Sequence, residues 1–240
     1  MPTYSNTEYL RIIRPLPSYV ERDFMDIPVI RPEKFDISDI NNGKWLINLK
    51  NTKPSDRLAK SKIVHSFCYD DVLRRWYNNP LGYAKKVAPY YAVSSFDFTM
   101  DEKMDLAQIF IATYRNRWTG AFLQSHGINV IPTVGWVNPK TYEICFSGLR
   151  DGGVFIISTL GVNNIVCREN FLLGYKELRN RLPNTTLICV GDQLSDMDND
   201  VCYVKYEDSF GNWDRYRNYY QLLLVNWDNS IPEEVLKDVV

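Results

Sequence analysis

The sequence predicts an α/β fold of mostly parallel βα repeats, barrel-like (a partial or closed TIM-type barrel) in preference to an open doubly wound sheet. Three observations lead there. Between Tyr91 and Val162, short β-branched runs alternate with stretches of helical period, reading strand, long helix, strand, shorter helix, strand. Units of the same kind precede and follow, so that the strands succeed one another in order with no insertion of crossover length between them. The carboxyl ends of those strands are rich in polar residues, and a barrel would gather them into one ring.

Taken in order, residues 1–62 read as an irregular arm packed on the core. Pro15, Pro17, Pro28 and Pro32 punctuate it, and its strand candidates are the IPVI run and Trp45 to Leu49. The core runs over 63–209. Ile63 to Cys68 is a strand, and Asp70 or Asp71 opens a helix with Val72, Leu73, Trp76 and Tyr77 inward. Asn79 and Pro80 are cap and first-turn residue of a second short helix. The strand Tyr91 to Ser95 follows, then the long helix. Asn129 to Thr133 continues toward Trp136, and Asn138 with Pro139 makes another cap pair. Gly152 and Gly153 turn into the strand Val154 to Ser158. The next helix carries Phe171, Leu172, Tyr175, Leu178 and Leu182 at helical spacing, and the strands Thr185 to Val190 and Val201 to Tyr206 complete the core. Residues 210–240 form an aromatic-rich tail with Trp213, Tyr216, Tyr219, Tyr220 and Trp227, suited to packing on the core or to a homo-oligomer contact.

The long helix is the most informative element. Thr99 and Glu102 have the spacing of a capping box, which starts the helix near Met100, and His126 with Gly127 ends it. At about 100° per residue, Leu106, Ile109, Phe110, Thr113, Gly120 and Ala121 share one face with Arg117 and Gln124 at its centre. A buried guanidinium requires a counter-charge or an anionic ligand, and Asp97, at the end of the preceding strand, is the nearest acid. Arg115 falls about 200° away, toward solvent or a second contact.

A formal charge of −1 and a pI near 6.2 leave no global field toward phosphate backbones or anionic membranes, so any nucleic-acid contact is local. The segment from Lys44 to Lys62 is such a place, with Lys44, Lys50, Lys53, Arg57, Lys60 and Lys62 against Asp56 alone. Apart from Trp45 it lacks interleaved aromatics, and it reads as a solvated loop. No run is long and apolar enough to span a membrane and the first residues carry no signal-peptide core, so a cytoplasmic protein of the host cell without a membrane partner is expected. Five cysteines stand singly, fitting reduced thiols rather than a disulfide framework or a zinc site. Asp196, Asp198, Asp200 and Glu207 match an EF-hand loop at four positions, but Val201 occupies the position that needs glycine, so no metal is assigned. No motif identifies a cofactor.

What remains is a set of carboxylates and arginines at strand ends. Asp97 and Arg117 are the candidate catalytic pair. Asp70, Ser95, Arg115, Trp136, Asn138, Thr141, Tyr142, Ser158, Thr159 and Asp192 are candidate ligand-binding residues, with Trp136 as a stacking surface for a base or sugar.

The motifs SSFDFT (Ser94 to Thr99), TYRNR with LQSHG (Thr113 to Arg117, Leu123 to Gly127), VIPTVGW (Val130 to Trp136), TYEICFSG (Thr141 to Gly148) and ISTLG (Ile157 to Gly161) resemble those of a family found in phages, plasmids and integrated mobile elements, domain of unknown function 4417. The chain departs from that pattern at Phe96, Gly135 and Leu160, where the family often has Pro, Arg and His. The resemblance implies a mobile-element setting and a shared site built from Asp97, Arg115, Arg117, Trp136, Thr141, Tyr142, Ser158 and Thr159. Site and setting together favour a nucleotide or nucleic acid as the partner, bound or acted upon; the alternative is a non-catalytic counter-defence or protein-interaction protein.

Overall fold

In a computed structural model, which describes residues 6–35 and 45–209, parallel strands lie in two sheets. The first contains β1 (Trp45–Asn48), β2 (Lys62–His65), β3 (Ala92–Ser94) and β4 (Val130–Ile131), adjacent in that order. The second contains β5 (Val154–Ser158), β6 (Thr186–Val190) and β7 (Cys202–Val204). α1 (Asn6–Ile12) precedes them. α2 (Asp70–Tyr77) and α3 (Pro80–Val87) connect β2 to β3, α4 (Leu106–Ser125) connects β3 to β4, α5 (Tyr142–Cys145) lies between β4 and β5, and α6 (Ile165–Arg181) connects β5 to β6.

β4 is short because Thr133, the next residue whose N–H faces β3, donates to Ser95 Oγ (2.8 Å) rather than to a backbone carbonyl of that strand. The chain there changes partner instead: Ile156 N donates to Pro132 O (2.9 Å), Val134 N donates to Ile156 O (3.0 Å), and Thr133 pairs in parallel with Ile156. The two sheets therefore meet along the segment just past β4. They do not close at the other side. No pairing among the described residues joins β7 to β1, so the closed TIM-type barrel allowed by the sequence is not formed. Side chains occupy that place: Asn48 Nδ2 donates to the Tyr206 hydroxyl (3.4 Å), and Tyr206 Oη donates to Phe67 O (3.3 Å).

The period-2 alternation of the strands sorts the core into layers. Leu46, Ile63, Ala92, Ile131, Ile156 and Ile188 share one cluster with the partly buried Val204, so a single apolar face draws on every strand of both sheets. Ile47, Val64, Val93 and Val130 point the other way and pack with Leu73, Val87 and Trp118. Phe155, Ile157, Leu187 and Cys189 do the same against Tyr175 and Leu178 of α6. Each such side chain, fully buried, contributes roughly 1.5–3 kcal/mol.

The long helix begins later than the Thr99–Glu102 pattern predicts. Asp70 takes both Thr99 donors, the backbone N–H (3.0 Å) and the hydroxyl (2.9 Å), so Thr99 is tied to the start of α2 and its N–H is not left for Glu102. α4 starts at Leu106 instead, with Gln108 Oε1 accepting from Asp105 N (2.9 Å). Leu106, expected inward, is 53% exposed in this first turn. At the other end the helix closes as expected: the His126 ring lies 2.8 Å from Phe122 O, and Gly127 takes φ 73°. Between these ends α4 is buried on more than one face, because the N-terminal segment crosses it. Trp118 Nε1 donates to Arg14 O (2.8 Å), Ile30 lies over Gly120, and Gln124 exchanges hydrogen bonds with Arg31 N and O (3.0 and 2.8 Å).

His65, the last residue of β2, is fully buried on the face shared by both sheets. Its Nδ1 accepts from Phe67 N (3.3 Å), its Nε2 has no partner among the described residues, and Phe67 and Tyr206 flank the ring. Burial pushes its pKa down to about 3, so it folds neutral. The unfolded chain binds that proton near the ordinary value of 6.5, so the stability from a neutral His65 is complete above that pH and is lost as pH falls toward 3. We expect the difference in unfolding free energy between wild type and His65→Gln, followed by urea titration, to be constant above pH 7. At pH 4.5 it should have moved against wild type by about 2–3 kcal/mol.

Candidate functional site

The polar residues at the carboxyl ends of the first sheet divide into a satisfied network and an unsatisfied acid. Ser95 and Thr133, which follow β3 and β4, are cross-linked. Thr133 N donates to Ser95 Oγ (2.8 Å), Thr133 Oγ1 donates to Ser95 O (2.6 Å), and Ser95 Oγ donates to Asn116 Oδ1 (2.8 Å). Asn116 Nδ2 then donates to Thr133 O (3.0 Å).

Arg117 completes this network. It is 1% exposed, and its guanidinium donates to Ser147 O (2.8 Å), Thr133 O (3.0 Å), Cys145 O (2.6 Å) and Asn116 Oδ1 (2.6 Å). The expected ion pair with Asp97 is not formed: Arg117 makes no salt bridge among the described residues. Its charge is met by the carbonyls at and just beyond the C-terminal end of α5, where the helix dipole is negative. Asp23 adds a more distant negative charge, and its carboxylate accepts from the Ser147 hydroxyl. Desolvation lowers the Arg117 pKa to about 10, still fully charged at neutral pH.

Asp97 is different. It lies two residues beyond Ser95, half-buried, with no hydrogen bond to any described residue, and desolvation followed by the nearby Asp70 charge raises its pKa to about 7. Asp97 and Arg117 do line the same small cavity, with Phe98, Met100, Thr113, Asn116, Gly135 and Cys145. Its volume of about 10 Å³ is room for one water. Met100 fills the mouth: its methyl lies 3.0 Å from where a Cβ on Gly135 would be, and its sulfur is 3.9 Å from the Thr113 hydroxyl and 4.0 Å from the Cys145 thiol.

Around this point the structure collects further charge. The Cys68 thiol feels Lys50, Asp97, Asp71 and Asp70, and desolvation pushes it up to about 12, which makes it a poor nucleophile. Asp70 is committed to Thr99. Arg115 sits over the rings of Phe98 (5.4 Å) and Tyr77 (5.7 Å), the second contact expected of it.

The remaining candidates serve local structure. Trp136, partly buried, is packed against Phe171 and Phe146, gives its indole N–H to Phe171 O (3.1 Å), and lies where a Cβ on Gly174 would be, so its ring is engaged in packing α6 onto the core. Asn138 Oδ1 accepts from Lys140 N (3.1 Å) and Thr141 Oγ1 donates to Asn138 O (2.8 Å), capping the short turn before α5. Tyr142 packs on Phe146 with its hydroxyl buried and unpartnered. Ser158 Oγ donates to Val190 O (2.8 Å) and Thr159 Oγ1 to Asp192 O (2.9 Å), while the Asp192 side chain is exposed. These three belong to the second sheet, beside an open groove of about 630 Å³ lined by Asn164, Arg168, Leu172, Leu194 and Asp196. The EF-hand-like acids are drawn to α6: Arg179 contacts Asp198 (3.2 Å) and Asp200 (2.6 Å). Among the described residues, no group of three or more His, Cys, Asp or Glu side chains could hold a metal ion. The tail proposed for an oligomer contact lies outside the described residues.

Asn116, Met100 and Gly135 are absent from the sequence-based candidates. Asn116 carried a signal, since a polar residue adjacent to Arg117 on a helix buried on several faces must find partners. Met100 and Gly135 carried none.

Fold and site together define an α/β protein of parallel strands with an unpaired acid at the strand ends of its first sheet. The chain belongs to the family described as domain of unknown function (DUF4417), whose family model matches residues 19–207. It is 30% identical over 196 residues to the Gene 1 protein of Mycobacterium phage L5, covering 81% of this chain and 82% of that protein. It is 31% identical over 155 residues to the Gene 1 protein of Mycobacterium phage D29, covering 64% of this chain and 57% of that one. No solved structure matches the chain. Among the described residues, no helix is long and apolar enough to cross a membrane.

Because Arg117 satisfies three buried carbonyls, Arg117→Met should keep the aliphatic stem yet lose about 3–5 kcal/mol of stability in urea unfolding. Asp97→Ala should not reproduce that loss, since the two side chains are unpaired.

Proposed function

We propose that this protein binds or acts on a nucleotide or nucleic acid at the carboxyl ends of β2, β3 and β4, with Asp97 as the group that holds or moves the proton. The observation that carries this is Asp97 itself, an acid without a hydrogen-bond partner whose pKa is raised to about 7 by desolvation and by Asp70. At neutral pH both of its forms are populated, which is the condition for efficient general acid–base catalysis. A carboxyl group in that state can also meet either a donor or an acceptor on a base edge.

Other features support the same place. Tyr69, 76% exposed beside Asp70, offers an aromatic ring more open than that of Trp136, and Lys50 Nζ stands 4.1 Å from its ring centre. Arg117 acts as a positioning residue, fixing the strand ends from which Asp97 projects. The apolar face shared by all the strands favours reading the two sheets as one incomplete barrel, whose ligand sits beyond the strand carboxyl ends.

The test is nucleotide binding followed by thermal shift across pH. We expect a panel of mononucleotides to contain binders whose affinity changes through a single step near pH 7, and Asp97→Asn to abolish that step while remaining folded. No binding by any mononucleotide, or the same pH profile in the variant, would remove the site.

A second expectation concerns the ligand-free protein. Folded Asp97 keeps its proton to about pH 7 whereas the unfolded chain releases it near 3.8, so wild type loses stability relative to Asp97→Asn as pH rises between those values and no more above them. With the linkage value discounted for partial exposure, the variant should be the more stable at pH 8 by on the order of 2 kcal/mol.

A further inference from the structure

We infer that the face formed by residues 49–60, the start of α2 and the end of α3 binds single-stranded nucleic acid and leads it to Asp97; its destination rests on the site proposed above, and the surface itself does not. Within residues 49–60 the basic segment has no interleaved aromatics in sequence, but the fold supplies them in space. Lys50 Nζ lies 4.1 Å from the centre of the Tyr69 ring. Two residues on, Thr52 O accepts from Lys86 Nζ (3.1 Å), and that ammonium also stands over the Trp76 ring at 5.6 Å. Lys53 lies next in the chain, held by a hydrogen bond from its N–H to the Tyr90 hydroxyl (3.1 Å). The contacts thus join Tyr69, Lys50, Lys53, Lys86 and Trp76 into one continuous band of three cations with a ring at each end.

Asp70 and Asp71 stand at the Tyr69 end of this band, while the charges on residues 49–60 are in excess of their acids. Lys50, Lys53 and Arg57 are exposed and make no ion pair among the described residues. Asp56, the acid of the segment, is committed to the buried Lys62, with both carboxylate oxygens 3.1 Å from Nζ. On a chain of formal charge −1 this is a local positive field. An exposed tyrosine set against lysines fits unstacked bases with their phosphates, the two contacts by which proteins hold single strands; a duplex offers the phosphates without the bases. The band also ends in the right place. Asp70, next to Tyr69, accepts from Thr99 N (3.0 Å), two residues beyond Asp97, so the Tyr69 end of the band lies near the acid.

The test is fluorescence anisotropy of the full chain with a labelled single-stranded oligonucleotide of about a dozen nucleotides and with its duplex, over a range of salt. We expect tighter binding to the single strand, with log K falling against log salt at a slope of about −2, as for three neutralised phosphates on a single strand. Lys50→Gln combined with Lys53→Gln should lower the magnitude of that slope by about 1 or more. Tyr69→Ala should weaken binding about tenfold and leave the slope unchanged, the mark of lost stacking rather than lost charge. Preference for the duplex, binding indifferent to salt, or variants that bind like wild type would overturn the inference. Loss of mononucleotide binding with the oligonucleotide still bound through Lys50 and Tyr69 would support this surface while removing the Asp97 site. Mononucleotide binding with no oligonucleotide binding would overturn this surface alone.

Discussion

A single buried guanidinium braces the segment at which the two sheets meet. The ladder between β3 and β4 ends where Thr133 N turns to the Ser95 hydroxyl, and the chain pairs with β5 through Pro132 O and Val134 N. At that junction Thr133 O accepts from Arg117 and from Asn116, both at 3.0 Å, which uses both of its lone pairs. The other arm of the guanidinium reaches the carbonyls that follow α5. Asp23 of the N-terminal segment joins through the Ser147 hydroxyl. One side chain on α4 therefore fixes the crossing between sheets, the end of α5 and the path of the N-terminal segment. The arrangement costs the desolvation of a charge with no carboxylate bonded to it, offset by four hydrogen bonds and a helix C-terminus.

That commitment gives Asp97 its character. A free Arg117 would have turned toward the acid across their shared cavity and held it ionised, with a pKa below the ordinary range. Because the guanidinium is occupied by carbonyls, Asp97 meets apolar atoms, the Met100 thioether and the nearby charge of Asp70, all of which favour its neutral form. The structural role of the arginine and the titration of the acid near neutrality follow from one set of hydrogen bonds. Burial of Asn116 beside Arg117 contributes, since its amide supplies the acceptor that Ser95 and the guanidinium share.

Much of the fold was legible in the sequence because the strands are short β-branched runs between strong turn signals, and Val154–Ser158 appears where its composition places it. The cap pairs Asn79–Pro80 and Asn138–Pro139 also read directly, since their hydrogen bonds are local. Features settled by distant partners did not. Thr99 has the spacing of a cap, yet Asp70, 29 residues away, takes both of its donors. The burial of Arg117 followed from its helical position, but its partners are backbone carbonyls, which any sequence offers and none advertises. Trp136 looked like a stacking surface beside a strand end, and only the contact with Gly174 and Phe171 turns it into the core. The aromatics beside Lys50 and Lys86 come from helices outside the basic segment, so no local window contains them.

The two sheets also differ in how much polar capacity their carboxyl ends leave free. At the second sheet the hydroxyls of Ser158 and Thr159 close on Val190 O and Asp192 O, the carbonyls of the neighbouring strand end, and the acids that follow are drawn to Arg179. The two hydroxyls there are thus satisfied by the neighbouring strand end, and Asp198 and Asp200 by α6. At the first sheet Asp70, Ser95, Asn116, Arg117 and Thr133 are equally well engaged, and the satisfaction of so many neighbours is what leaves Asp97 without one. Donors that could have reached it are already directed elsewhere by the requirement that buried polar groups be paired. An acid stranded in this way is costly to the fold, and a ligand with a hydrogen-bonding edge recovers that cost on binding. The second sheet completes the core on which the first can carry such a group.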